Sequence, residues 1–308
     1  MTVVVGADGF VGGALAASLD GARVVFRPAR DPRETPFDEA APLLSGAKVV
    51  VNASGFRVRP GLAAADYRRT HAELVSRLVP ALTPGSLLIH ISSASVLGRS
   101  PGAPPPNDEV GSPGTFGCPD YAIAKRDAER AARAAARARG VRLAIVRPAV
   151  LYGPVPDGMI GTLTALAARG VLLRLVPGGH RHHLCALPLL VEAVRTLARQ
   201  GDAIEAPLTL ADPFFVTSAE IADLIRDRHR PAVTLPFPAE AAGSVLRRLP
   251  RLSSPRFDLR TWGEILCILA LDTVYDTSET YRLLGIDVSR FSRARTWERL
   301  ARGQEIEG

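Results

Sequence analysis

The sequence predicts an α/β fold, a parallel sheet wound on both faces by helices, with a smaller C-terminal domain for a substrate. Three observations predict it. A β-branched run at the N-terminus leads directly into a glycine-spaced turn and a helix. Short apolar runs recur at Ala22–Phe26, Lys48–Asn52 and Ser86–Ser92, each closed by small or polar residues. A long Ala/Arg helix then opens at Tyr121 and ends at Gly140, a suitable C-cap.

The first strand is Thr2–Val5, followed by Gly6-Ala-Asp-Gly9-Phe10-Val11-Gly12 and a helix over Gly13–Leu19. Strand, glycine turn and helix in this order form a dinucleotide-binding context. Gly6 permits the turn, Gly9 lets backbone approach a pyrophosphate, and Gly12 lets helix and strand pack closely. The helix N-terminus, with Phe10 and Val11, offers free N–H groups to the phosphates. The second strand ends at Arg27, with Arg30 close behind, where an NAD site usually has an acidic residue. Arginine there suits the 2′-phosphate of NADP, so NADP(H) is preferred and NAD(H) is retained as an alternative. About twenty residues separate Arg27 from Lys48, so one element between them is expected to be reduced, with Asp38 near the adenine. Asn52, Ala53 and Ser54 close the next strand and leave room for cofactor.

The fourth strand, Ser86–Ser92, runs into Ser93-Ala-Ser95. After a Gly/Pro-rich loop, Tyr121 and Lys125 lie four apart and share one helix face. A phenol titrates near pH ~10 and is a poor base at neutral pH. An ammonium one turn away favours the phenolate. Ser93 can donate to a substrate oxygen while Tyr121 gives or takes the proton. A bare Y-x-x-x-K is weak evidence; its place after a serine-tipped strand in a chain that begins with a dinucleotide turn gives it force.

These motifs together resemble the short-chain dehydrogenase/reductase superfamily, in its extended group of epimerases, dehydratases and reductases. The residues that carry the likeness are GADGFVG (Gly6–Gly12), VVVNASG (Val49–Gly55), HISSASVLG (His90–Gly98), YAIAK (Tyr121–Lys125) and VRPAVLYGP (Val146–Pro154). Weaker echoes follow at Arg181–Val194, Val216–Ile225 and Asp276–Ile286. The resemblance implies a Rossmann domain over 1–153 and a mainly substrate-binding domain over 154–308, with segments near 184–212 returning to the Rossmann sheet. It also implies Ser93 as the catalytic hydroxyl, Pro148 near the nicotinamide, and a homodimer through helices next to the tyrosine helix as one arrangement open to the chain. Ser95 and Arg181 are the substrate-binding candidates, Arg181 because sugar-nucleotide enzymes often place a diphosphate-binding arginine there. Dehydratases carry an Asp-Glu pair after the catalytic hydroxyl; here Ala94 and Ser95 stand in those positions, which disfavours dehydration.

Charge and composition exclude other classes. The net charge of +7 comes from scattered residues, all but two of them arginine, with no basic tail or nucleic-acid motif, so no nucleic-acid partner is expected. No apolar run spans a membrane and the N-terminus lacks a signal-peptide pattern, so a cytoplasmic enzyme with a small-molecule substrate is expected. Cys118, Cys185 and Cys267 show no metal or disulfide spacing. His180, His182 and His183 read as a polar loop over the substrate pocket, not as a metal site. The leading expectation is an NADP(H)-dependent ketoreductase acting on a sugar nucleotide or secondary-metabolite carbonyl. The alternatives are an NAD(P)-dependent sugar-nucleotide epimerase and, from a different class, a non-catalytic dinucleotide-binding regulator.

Overall fold

The computed structural model describes residues 1–19, 23–26, 37–58, 62–98, 119–153, 158–238, 253–254, 257–258, 266, 268–302, 304 and 306. Within these ranges only the backbone is described at 23–26, 37–39, 119, 158–159, 162, 253–254 and 257–258.

The apolar runs become β1 (Thr2–Val5), β2 (Arg23–Phe26), β3 (Val49–Asn52), β4 (Leu87–Ile91) and β5 (Arg142–Pro148). In the C-terminal half β6 (Val150–Tyr152), β7 (Val171–Val176) and β8 (Arg181–Ala186) precede β9 (Leu208–Leu210). One six-stranded sheet has the order β2-β1-β3-β4-β5-β9, and every neighbouring pair in it is parallel. Strand order reverses at β1 and β3, so their carboxyl ends frame the crevice in which such sheets bind ligands.

Residues alternate between the two faces of each strand. Val3, Val5, Val50 and Leu88 join one core with Leu74, Val75 and Leu78, and Val4, Val51 and Ile89 join the other with Leu15 and Leu190. The first face is covered by α2 (Phe37–Ser45), the stretch α3 (Ala64–Arg68), a π turn (Arg69–Glu73) and α4 (Leu74–Leu78), and α5 (Pro119–Arg139). The second face carries α1 (Phe10–Ser18) and, beyond α6 (Gly158–Ala167), α7 (Leu187–Gln200). Ala128, Ala132 and Ala136 recur every four residues on α5 and are buried, which lets this helix lie close on the sheet. The element between β2 and β3 that length alone suggested would be reduced is a nine-residue helix, α2, with Pro42 inside it.

Beyond the main sheet, β8 lies between β6 and β10 (Phe215–Thr217), and β7 pairs in parallel with β11 (Val233–Pro238). Between β10 and β11, α8 (Ser218–His229) starts at a full capping box made by Thr217 and Glu220. The histidine segment differs from the expected loop. Residues 181–186 form a strand, and His182 is buried with Nδ1 on Thr273 Oγ1 and Nε2 on Ser218 Oγ. His183 Nδ1 accepts from the Tyr275 amide. Both rings hold long-range contacts together, and no metal-binding group occurs among the described residues.

A buried carboxyl joins the second sheet to the first. Asp212, just after β9, accepts from the Tyr152 hydroxyl at 2.6 Å and the Ala186 amide at 2.9 Å. Burial pushes its pKa up to about 7, against the opposing pull of those two hydrogen bonds. A carboxyl raised in the folded state contributes stability at low pH that is lost as pH rises through the folded value. Asp212→Asn should therefore raise the melting temperature near pH ~8 and leave it close to wild type near pH ~4. Thermal melts at the two pH values check this, and an equal effect at both contradicts it.

Candidate active site

The glycine turn is built by contacts that exclude side chains. Gly6 has φ +83°, and its carbonyl accepts from the Gly9 amide at 3.0 Å. A Cβ at Gly12 would lie 2.0 Å from the Gly6 oxygen, and one at Gly6 would lie 2.7 Å from Ser54 Cα. The turn after β1 is thus packed directly on the residues after β3, at the point where strand order reverses. Gly9 caps α1 without a side-chain hydrogen bond, and the first turn of α1 contains no acid. Its amides are left to an anionic ligand. The cradle made by Gly6, Gly9, Phe10, Val11 and Gly12 has the geometry that fits the pyrophosphate of a dinucleotide.

Of the other cofactor candidates, Asn52 ends β3 buried, and its Oδ1 accepts from the amide of Ser54 at 3.2 Å and from the Ser54 hydroxyl. Ala53 hydrogen-bonds back to Val5, tying the two strand ends together. Pro148 ends β5 and pairs with Leu210 of β9. Arg27 and Arg30 lie outside the described residues, and Asp38 lies in the first turn of α2, where only the backbone is described.

Ser93 follows β4 in extended backbone, φ −158° and ψ 143°. Its Oγ accepts from the Ser95 amide at 3.2 Å, capping the short turn Ala94–Leu97. That bond uses an oxygen lone pair and leaves the O–H to donate. Ser95 is buried with a hydroxyl that has no partner. Arg181 is engaged: its guanidinium and amide bind Asp272, and it lies over the Phe215 ring, 5.4 Å from the centroid.

Tyr121 is half-buried in the first turns of α5, edge-on to Tyr67 at 5.8 Å and to His71 at 5.6 Å. These two rings orient the phenol. Lys125 lies 6.0 Å from the Tyr121 centroid, is 6% exposed, and donates to the Ile91 carbonyl at 2.9 Å. That carbonyl sits at the end of β4, two residues before Ser93, so α5 and β4 bring the two ends of the set together. Burial pulls the Lys125 pKa down to about 8, while the nearby Glu129 carboxylate opposes the change.

Sequence reading missed the groups that fix this helix to the sheet. Glu129 accepts from Ser92 Oγ at 2.6 Å, Arg147 Nε at 2.9 Å and Arg147 Nη2 at 2.7 Å, and all three residues are buried. The bidentate pair joins α5 to β5, and Ser92 adds β4. A signal was available: Arg147 interrupts an apolar strand, and Glu129 stands one turn after Lys125.

A family model described as "NAD dependent epimerase/dehydratase family" matches residues 2–207. The chain belongs to this family. Solved structures similar to it include MoeE5 in complex with UDP-glucuronic acid and NAD, at 20% identity over 98% of this chain and 99% of that one, TM-score 0.69. The human epimerase family protein SDR39U1 (isoform 2) with NADPH aligns at 19% identity over 98% and 99%, TM-score 0.73. The NAD-dependent NDP-hexosamine 5,6-dehydratase TunA aligns at 20% identity over 92% and 91%, TM-score 0.68. At these identities the likeness establishes the fold, that of the extended short-chain dehydrogenases/reductases. No curated protein matches the sequence. No helix among the described residues is long and apolar enough to cross a membrane.

Proposed function

We propose that the protein is an NADP(H)-dependent ketoreductase that works on a carbonyl of a sugar nucleotide or a secondary-metabolite intermediate. The observation that carries this reading is a buried lysine one helical turn after a half-buried tyrosine, tied to the strand whose tip bears Ser93. A bound nicotinamide supplies or takes the hydride. Ser93 donates to the substrate oxygen and holds it beside the phenol. Tyr121 gives its proton to that oxygen in reduction and removes it in oxidation. Lys125, positively charged and poorly solvated, lowers the cost of the phenolate that remains. Ser95 supplies a second buried hydroxyl for a polar substrate group.

Arg27 and Arg30 favour NADPH on charge grounds, and the NADPH in the SDR39U1 structure is compatible with that choice. The second reading is an epimerase, which oxidises and re-reduces one bound substrate. UDP-glucuronic acid and NAD in the MoeE5 complex favour it. A dinucleotide-binding regulator is disfavoured, since burying an ammonium against a tyrosine is costly and serves no purpose without proton chemistry.

The test is incubation of NADPH with a panel of keto-sugar nucleotides and small ketones and, in parallel, of NAD+ or NADP+ with a panel of hydroxyl-bearing nucleotide sugars. Net oxidation of NADPH matched by alcohol formation supports the reductase. Interconversion of hydroxyl epimers without net NADPH consumption replaces it with the epimerase, and neither activity on either panel counts against both.

A further inference from the structure

Two buried imidazoles lie near Lys125, and the chemistry above uses neither's nitrogens, only the His71 ring as an edge contact of Tyr121. His90 interrupts the apolar strand β4 on the face covered by α5, and His71 lies in the π turn; they are 1% and 2% exposed. Their partners fix their tautomers. Asn52 Oδ1 accepts from Ser54, so the amide NH2 end faces His90 and donates to Nδ1 at 3.2 Å. A neutral His90 must therefore carry its proton on Nε2. His71 Nε2 lies 2.9 Å from the Phe56 carbonyl, which can only accept, so that nitrogen is protonated and Nδ1 is a bare acceptor.

Both rings stay neutral. Burial first, then the charge of Lys125, pulls His90 down to about 3 and His71 well below its ordinary value. What remains is one buried donor, His90 Nε2–H, and one buried acceptor, His71 Nδ1, neither with a hydrogen-bond partner. His90 directly precedes Ile91, whose carbonyl takes the Lys125 ammonium, and His71 and Lys125 lie 5.6 Å and 6.0 Å from the Tyr121 ring centroid, so the three groups share one region. Gly55 packs its backbone against the His71 ring, where a Cβ would lie 2.1 Å from Cε1 and 2.2 Å from Nδ1, so only glycine lets this close approach occur. The Lys125 ammonium has three donors, and Ile91 takes one.

We propose that His90 and His71 are positioning residues for Lys125 that together hold one buried water. Its oxygen accepts from His90 Nε2–H and from Lys125 Nζ, and one of its hydrogens goes to His71 Nδ1. Two complementary orphaned groups and a buried charge are thereby satisfied by a single molecule. The titratable groups around the ammonium are Tyr121 and Glu129 on α5, Tyr67 and His71 on the α3–α4 stretch, and His90 on β4. Glu129 is the anion among them, and its oxygens are engaged by Arg147 and Ser92. The water then solvates the ammonium on the side away from Glu129 and keeps it charged beside Tyr121. The consequence for catalysis rests on the reading of Tyr121 and Lys125 given above; the water site itself does not.

The chain has two lysines, Lys48 and Lys125, so protein labelled with 13C at the lysine side chains gives two signals to follow against pH. His90→Phe and His71→Phe should each move the Lys125 midpoint to lower pH, because the ammonium loses its water, and leave the Lys48 signal unchanged. His90→Gln, whose side-chain amide restores an N–H donor, should return the midpoint toward wild type. An unmoved Lys125 midpoint in folded phenylalanine variants overturns the proposal. Should those variants not fold, 15N spectra of the wild-type imidazoles decide: a hydrogen-bonded His71 Nδ1 supports the water, and a free one overturns it. A moved midpoint together with full activity in Tyr121→Phe would sink the catalytic reading alone.

Discussion

Replacing Tyr121 by phenylalanine is expected to lower turnover by about 10²–10⁴-fold, the usual range for one general acid–base group. The ring should stay in place, because the edge-on contacts with Tyr67 and His71 involve the ring and not the hydroxyl. Cofactor affinity should change little, since the glycine turn is on the far side of β3 and its contacts are with Ala53 and Ser54. On the proposed mechanism the removed hydroxyl carries the proton, and Ser93 cannot replace it, with an alkoxide far less accessible than a phenolate. Steady-state kinetics on the substrate found by the carbonyl panel, with parallel cofactor titration, separate the two effects. A near-wild-type rate would exclude Tyr121 as the proton carrier.

The second large effect is on stability. Glu129→Ala should destabilise the fold by about 3–5 kcal/mol, the cost of leaving a buried charge without its partner. Arg147 is 1% exposed and has both its Nε and Nη2 on this carboxylate, so it can reach little water when Glu129 is removed. Ser92 loses its acceptor in the same step. The pair Glu129→Leu with Arg147→Met should recover much of the loss, because buried ion pairs contribute little net stability beyond well-packed apolar residues. Denaturant unfolding of the single and double variants tests this. A loss under about 1 kcal/mol in Glu129→Ala would mean that the pair is not the tie between α5 and the sheet. The same substitution removes the carboxylate that supports the Lys125 ammonium, so activity should fall even where the protein remains folded.

What the sequence made legible was local in the chain. The glycine turn spans residues six apart and the Tyr121–Lys125 pair one helical turn, so their spacing, taken with the strands that precede them, makes their placement legible. Strand ends shifted by one residue, as at β3 and β4, because terminal hydrogen bonds depend on neighbours that spacing does not reveal. The histidine segment was misread because its partners are remote: His182 meets Thr273 across 91 positions. Polarity then suggested a solvated loop where the fold supplies a strand with buried hydrogen bonds. The Glu129–Arg147 pair was legible in principle, since an arginine inside an apolar strand demands an anion. His90 in β4 posed the same kind of question, and only the orientation of Asn52 shows which of its nitrogens lacks a partner.

The central claim is a dinucleotide site at the β1–β3 crevice serving the Ser93–Tyr121–Lys125 set. Calorimetric titration of the purified protein with NADPH, NADP+, NADH and NAD+ tests it most directly. Saturable one-to-one binding, tighter for the phosphorylated pair, is the predicted result. No binding by any of the four would contradict the dinucleotide site, and the hydride chemistry would fall with it.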